Sequence, residues 1–239
     1  MSFHRTGAYF VSTAGAGKSV IWYVDLLIGF VRELMLPTSS TIIEDIRTLQ
    51  EIGLVSLAFF YCDFREDQKK NLRELLTSLL VQLGYQSNAY STILSDFYVA
   101  HGRGSQHASD GELLECLKKM LRLSGQPTVH IMIDGIDECP IITGFPSPRE
   151  KVLRLIEELV NLQCSNLRIC VTSRPEADID SVLGRLAFRS VSLHSENGQI
   201  QDIAEYIKFQ ISTDFKMRKW RTANKDLVID VLAKRANGM

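Results

Sequence analysis

Residues 9–19 read Tyr9-Phe10-Val11-Ser12-Thr13-Ala14-Gly15-Ala16-Gly17-Lys18-Ser19: a short apolar run, then small residues, then a glycine-flanked turn that ends on a lysine and a serine. A strand, a G-x-x-x-x-G-K-[ST] turn and a following helical pattern form the context in which such a turn binds phosphate. Glycines at 15 and 17 open backbone conformations closed to other residues, so successive N–H groups approach an anion at the helix N-terminus. Lys18 reaches the β- and γ-phosphates as a point charge, and the Ser19 hydroxyl ligates Mg²⁺. The nucleotide-binding set is therefore Gly15, Ala16, Gly17, Lys18, Ser19 and Val20. One departure stands out, because the pattern has glycine where this chain has Ser12. The anion-cradling half of the turn is intact, so the reading predicts weakened rather than abolished binding.

Outward from this turn, nearly unbroken apolar runs recur at Tyr9-Val11, Val55-Tyr61, Val129-Ile133, Ile169-Val171 and Val191-Leu193. Runs of that kind, bounded by turn residues, read as parallel strands buried on both faces. Between them Leu72, Leu75, Leu76, Leu79, Leu80 and Leu83 recur at helical steps, as do Val152, Leu155, Ile156, Leu159 and Val160; further helices lie around Leu113-Leu123 and Ile179-Leu186. The alternation predicts an α/β fold, a doubly wound parallel sheet of about five strands of the P-loop NTPase type. A boundary falls near Asn197, giving a core over residues 1–196. Beyond it, stripes of Ile203, Ile207, Ile211 and of Leu227, Val231, Leu232 begin a helical subdomain over 197–239. The Gly-, Ser- and His-rich segment His101-Gly111 reads as a mobile connection, and Cys139-Arg149, with three prolines, as an irregular loop.

The strand Val129-His130-Ile131-Met132-Ile133 runs into Asp134-Gly135-Ile136-Asp137-Glu138, placing carboxylates at the C-terminal sheet edge where α/β proteins bind ligands. Asp134 is suited to hold Mg²⁺, directly or through water. Asp137 or Glu138 is then within loop reach of the γ-phosphate, where a carboxylate orients and deprotonates the attacking water. The next strand ends Thr172-Ser173-Arg174-Pro175. If it lies between the first strand and the acidic one, Arg174 faces the γ-phosphate and reports its presence; the bland reading is a surface arginine in a turn fixed by Pro175.

The ordered set AGAGKS, IMIDGIDEC and ICVTSRP resembles the NACHT-type signal-transduction NTPases of the STAND class, and most of all the nephrocystin-like N-terminal NTPase domain of fungal proteins that carry ankyrin or similar repeats. The resemblance covers residues 7 to 239, and Gly135 directly after the magnesium aspartate is characteristic of the class. It implies that Lys18, Ser19, Asp134, Asp137 or Glu138, and Arg174 take the roles argued above. It also implies ATP or GTP with Mg²⁺, a cytoplasmic setting, partner domains in a larger chain, and nucleotide-dependent homo-oligomers of the full-length protein. Against the pattern, residues 21–39 are additional sequence between the turn and the next strand, with Pro37 near its end.

Net charge of −1 gives no overall positive field, so neither duplex nucleic acid nor an anionic membrane is an expected partner. The basic run Lys216-Met217-Arg218-Lys219-Trp220-Arg221 reads as a solvated face. Val20 to Leu36 is interrupted by Asp25, Arg32 and Glu33, short of the ~20 apolar residues of a membrane span. The five cysteines are odd in number and lack metal-ligand spacing, which reads as reduced, mostly buried thiols. Cys139 has no general-base partner in the sequence, and His130 reads as a hydrogen-bonded core residue. A guanine-reading Asn-Lys-x-Asp pattern fails, since Asn224-Lys225-Asp226 is followed by Leu227. The functional expectation is a slow nucleotide-driven switch in a signalling protein. The competing one is a non-catalytic scaffold in which Ser12 and segment 21–39 have degraded the chemistry.

Overall fold

The computed structural model describes residues 7–12, 39–63, 71–141, 146–187, 189–192 and 198–235. The chain runs β1 (Gly7–Ser12), α1 (Ser39–Glu51), β2 (Val55–Tyr61), α2 (Leu72–Gly84), α3 (Asn88–Ala100), α4 (Asp110–Leu121), β3 (Thr128–Asp134), α5 (Pro148–Asn161), β4 (Leu167–Ser173), α6 (Ala177–Leu186), β5 (Arg189–Ser192), α7 (Gly198–Thr213) and α8 (Thr222–Arg235). The strand order is β2-β3-β4-β1-β5. Parallel pairing runs from Val55↔Thr128 to Tyr61↔Asp134 between β2 and β3, and from Val129↔Leu167 to Ile133↔Val171 between β3 and β4.

Residues 129–133 of β3 are all buried. Because successive strand side chains point to opposite faces, such a run shows that both faces of the sheet are covered. β2, at the end of the order, alternates more, with Phe59 and Tyr61 half-buried. Its outer edge is closed by side chains. Gln86 accepts from the Leu57 N–H at 2.8 Å and donates to the Leu57 carbonyl at 2.6 Å, while Gln82 makes the same pair of bonds to Phe59 at 3.0 and 2.8 Å. Two amides, one on α2 and one in the turn just past its end, thus stand in for a neighbouring strand, satisfying backbone groups that would otherwise template another chain.

The helices end where their caps dictate. Asn71, Ser87, Ser109 and Ser147 each accept a bond from the N–H three residues on, at the starts of α2, α3, α4 and α5. Ser109 forms a full capping box with Glu112. Leu75, Leu76, Leu79, Leu80 and Leu83 of α2 are buried at 0–2% exposure with Leu72 half-buried at the end of the stripe, and α2 packs on β2 and against α3 and α4.

Two helices had no counterpart in the sequence pattern, and one expectation changes. Helix α3 was absent from the periodicity reading because its buried side is carried by Tyr90 with half-buried Ile93, Leu94 and Phe97, a diluted stripe among β-branched and polar residues. Helix α1 starts at Ser39, the last residue of the segment read as additional, and buries Ile43 and Ile46. The segment His101-Gly111 is no loose connection. His101 stacks on Phe97 with centroids 4.2 Å apart, a 3-10 turn follows at Gly102–Gly104, and positive φ at both glycines turns the chain into the α4 cap.

Contacts group residues 7–11 and Ile43–Ser190 into one compact unit; a second contains α7 and α8, which pack on each other. In the second, Lys216 to Arg221 are exposed, as a solvated face requires. Among the described residues no helix is long and apolar enough to cross a membrane; Val20 to Leu36 lies outside them.

Candidate functional site

The turn after β3 is built around one left-handed residue. Gly135 has φ 72° and ψ 44°, and a Cβ there would stand 3.4 Å from the Cys62 carbonyl oxygen. A side chain would be strained in that left-handed conformation. The Gly135 N–H donates to the Thr172 hydroxyl at 2.9 Å and lies 3.1 Å from the Thr172 carbonyl. The Thr172 hydroxyl in turn donates to Asp134 Oδ1, so a polar residue on β4 fixes the carboxylate at the end of β3.

After Gly135 the chain makes a 3-10 turn, Ile136–Glu138. Ile136 is fully buried and anchors it. Asp137 faces the end of β4: it accepts from the Arg174 N–H at 3.1 Å and pairs with Arg174 Nε at 3.3 Å. The Asp137 side chain is 7% exposed and that of Arg174 47%. The arginine is therefore held at its base by a nearly buried carboxylate while much of its side chain faces solvent.

A residue that the sequence did not single out holds this turn from below. Arg149 is 4% exposed. Its guanidinium donates to the Asp137 carbonyl at 2.5 Å, to the Cys139 carbonyl at 3.1 Å, to Glu176 Oε2, and to Asp178 Oδ2 at 3.2 Å. Burial works against its charge, but the hydrogen bonds and charges of Glu176 and Asp178 prevail and raise its pKa further. One signal in the sequence pointed to it. A cation in the first turn of a helix is opposed by the helix dipole, so an arginine directly after Ser147-Pro148 has a partner elsewhere.

His130 is in the core, as read, but its Nδ1 has no hydrogen-bond partner. Burial, aided by the charge of Arg168, lowers its pKa to about 4, so it is neutral near pH 7. The cysteines are free thiols, four of them buried.

Of the residues singled out from sequence, the structure brings Asp134, Asp137 and Arg174 to the adjacent ends of β3 and β4, with Glu138 closing the turn between. β4 lies between β3 and β1, the order on which the reading of Arg174 depends. Gly15, Ala16, Gly17, Lys18, Ser19 and Val20 lie outside the described residues. Among the described residues no group of three or more His, Cys, Asp or Glu could hold a metal ion.

The family model described as nephrocystin 3, N-terminal, matches residues 37–174, a span that runs from the start of α1 to Arg174. The chain belongs to the nephrocystin 3 N-terminal family. No curated protein matches it. Among solved structures, a chain in the structure of Drosophila ORC bound to DNA superposes with a TM-score of 0.53 at 13% identity, over 98% of this chain and 47% of that one. The Aeropyrum pernix ORC1 protein in complex with DNA gives a TM-score of 0.46 at 16% identity, over 97% of this chain and 53% of that one. This nephrocystin 3 N-terminal chain thus spans about half the length of either. At such identity the Drosophila likeness is one of fold, and the fold is the α/β fold of P-loop NTPases. The Drosophila neighbour was solved with DNA, so it lends no support to the expectation that nucleic acid is no partner.

Proposed function

We propose that the chain binds a nucleoside triphosphate with Mg²⁺, ATP before GTP, and hydrolyses it slowly as the switch of a NACHT-like signalling protein. The observation that carries this reading is the β3–β4 edge, where Asp134 and the Asp137–Arg174 pair stand side by side at the ends of two neighbouring strands, the second of which lies next to β1. In this reading the turn Gly15-Ala16-Gly17-Lys18-Ser19-Val20, which follows β1, wraps the phosphates. Ser19 and Asp134 hold the metal. A single carboxylate oriented by a hydroxyl suits Mg²⁺, which takes oxygen ligands and is bound by one or two protein groups together with phosphate oxygens. When bound, the ion neutralises charge that develops on the phosphoryl oxygens.

Asp137, engaged through both oxygens and nearly buried, is the residue that orients Arg174. Glu138 then takes the part of the base that orients the water, and Arg174 that of the group that senses the terminal phosphate. Turnover in such a site, without an added arginine, is on the order of 10⁻⁴ to 10⁻² s⁻¹.

Calorimetry with magnesium and each triphosphate tests the reading directly. Heat of binding with the parent chain and its loss in Lys18→Ala support it. A folded parent that gives only heat of dilution removes it and leaves the scaffold. DNA belongs in the same titration, since the Drosophila neighbour was solved with it.

A further inference from the structure

Cys62 follows β2 and Cys139 ends the turn after β3; 77 residues apart in the chain, their sulfurs share a hydrogen bond at 3.3 Å. Both are buried, at 6% and 1% exposure. The backbones around them are already tied, because the Cys62 N–H donates to the Asp134 carbonyl at 2.9 Å and the Cys62 carbonyl packs against Gly135. A disulfide has sulfurs about 2.05 Å apart, so from 3.3 Å an approach of roughly 1.3 Å, shared by two side chains, closes the bond. Two thiols this close are placed so that a sulfenic acid formed on one condenses with the other to a disulfide.

We propose that Cys62 and Cys139 form an oxidative modification site, at which a hydroperoxide converts the thiol pair into a disulfide that ties the end of β2 to the turn carrying Asp137 and Glu138. Cys139 Sγ attacks one oxygen of hydrogen peroxide, the O–O bond breaks, the leaving hydroxide takes the thiol proton as water, and Cys139 becomes a sulfenic acid. Cys62 Sγ then attacks that sulfur, the S–O bond breaks, and a second water leaves with the Cys62 proton. The pair loses two electrons and peroxide is reduced to two waters. The turn, held on one side by Arg149, is then held covalently on the other. None of this requires bound nucleotide.

Trypsin separates all five cysteines into different peptides, which makes the test direct. The folded chain is treated with graded hydrogen peroxide, unfolded in alkylating reagent and mapped by mass spectrometry. The expected result is a cross-linked pair, the peptide 48–65 joined to 123–149, that disappears on treatment with dithiothreitol. The thermal midpoint of the oxidised chain should rise by about 5 to 10 °C, as for a disulfide that closes a long loop. In Cys62→Ser, Cys139 should instead be trapped as a dimedone adduct of the sulfenic acid. Full alkylation of both residues in the parent at peroxide levels that oxidise half-exposed Cys164, or a bridge from either to another cysteine, overturns the proposal. The parent's peptide map decides this even where the variant does not fold.

Discussion

Arg149 binds four groups from a nearly sealed position: two backbone carbonyls of the acidic turn and two carboxylates at the start of α6. Replacing it strands the Asp137 and Cys139 carbonyls, whereas Glu176 and Asp178, at 36% and 48% exposure, can turn to water. Arg149→Met is therefore expected to cost about 2 to 4 kcal/mol, read as a lower urea midpoint with an unchanged slope. Lysine cannot reproduce a fork aimed in four directions, so Arg149→Lys should recover little of it. His130 supplies the second prediction at this scale. Its pKa of about 4 in the folded chain lies below the ordinary 6.5, so between those values the unfolded chain takes up a proton that the native state refuses. Stability from this residue is complete above pH 6.5 and falls as pH is lowered towards 4, by at most ~3 kcal/mol. His130→Leu also removes the unpartnered Nδ1, and the variant should lose less stability than the parent between pH 7.5 and pH 5 in urea titrations.

Among the elements, the β2–α2 pair shows how local pattern and tertiary need meet. The leucine stripe of α2 faces the core, yet Gln82, interleaved with it, and Gln86, just past the helix end, spend their amide groups on the open edge of β2. The double substitution Gln82→Ala with Gln86→Ala uncovers four backbone groups at Leu57 and Phe59. Water can reach an edge, so the expected loss is modest, about 1 to 3 kcal/mol. The clearer signal should be concentration-dependent self-association by edge pairing, seen in light scattering at neutral pH. Unchanged scattering at every concentration would show that the glutamines are not what keeps this edge single.

For the whole molecule, magnitudes limit what the candidate site can do by itself. One charged hydrogen bond from Arg174 is worth about 1.5 to 3 kcal/mol, while a near-complete switch needs a differential of about 5.5. In the proposed switch, contacts with other domains have to supply the rest. The 239-residue chain is expected to bind nucleotide without changing its association state. Sedimentation with and without magnesium nucleotide checks this, and nucleotide-dependent oligomers of the chain would contradict it.

The amino-acid sequence by itself determined the strands, because β3 and β4 are long apolar runs whose burial on both faces leaves no other arrangement, and it placed Asp134 and Arg174 at their ends. It identified the leucine stripe of α2 and the approximate bounds of α5 and α6 for the same reason: local periodicity is written residue by residue. Only the tertiary structure decided the strand order that sets β4 between β3 and β1. It alone turned Arg174 onto Asp137, brought Arg149 beneath the turn, and set Cys62 against Cys139 across 77 residues. These are pairings between side chains far apart along the chain, decided by which loops the parallel sheet brings to one edge. No local period encodes that choice.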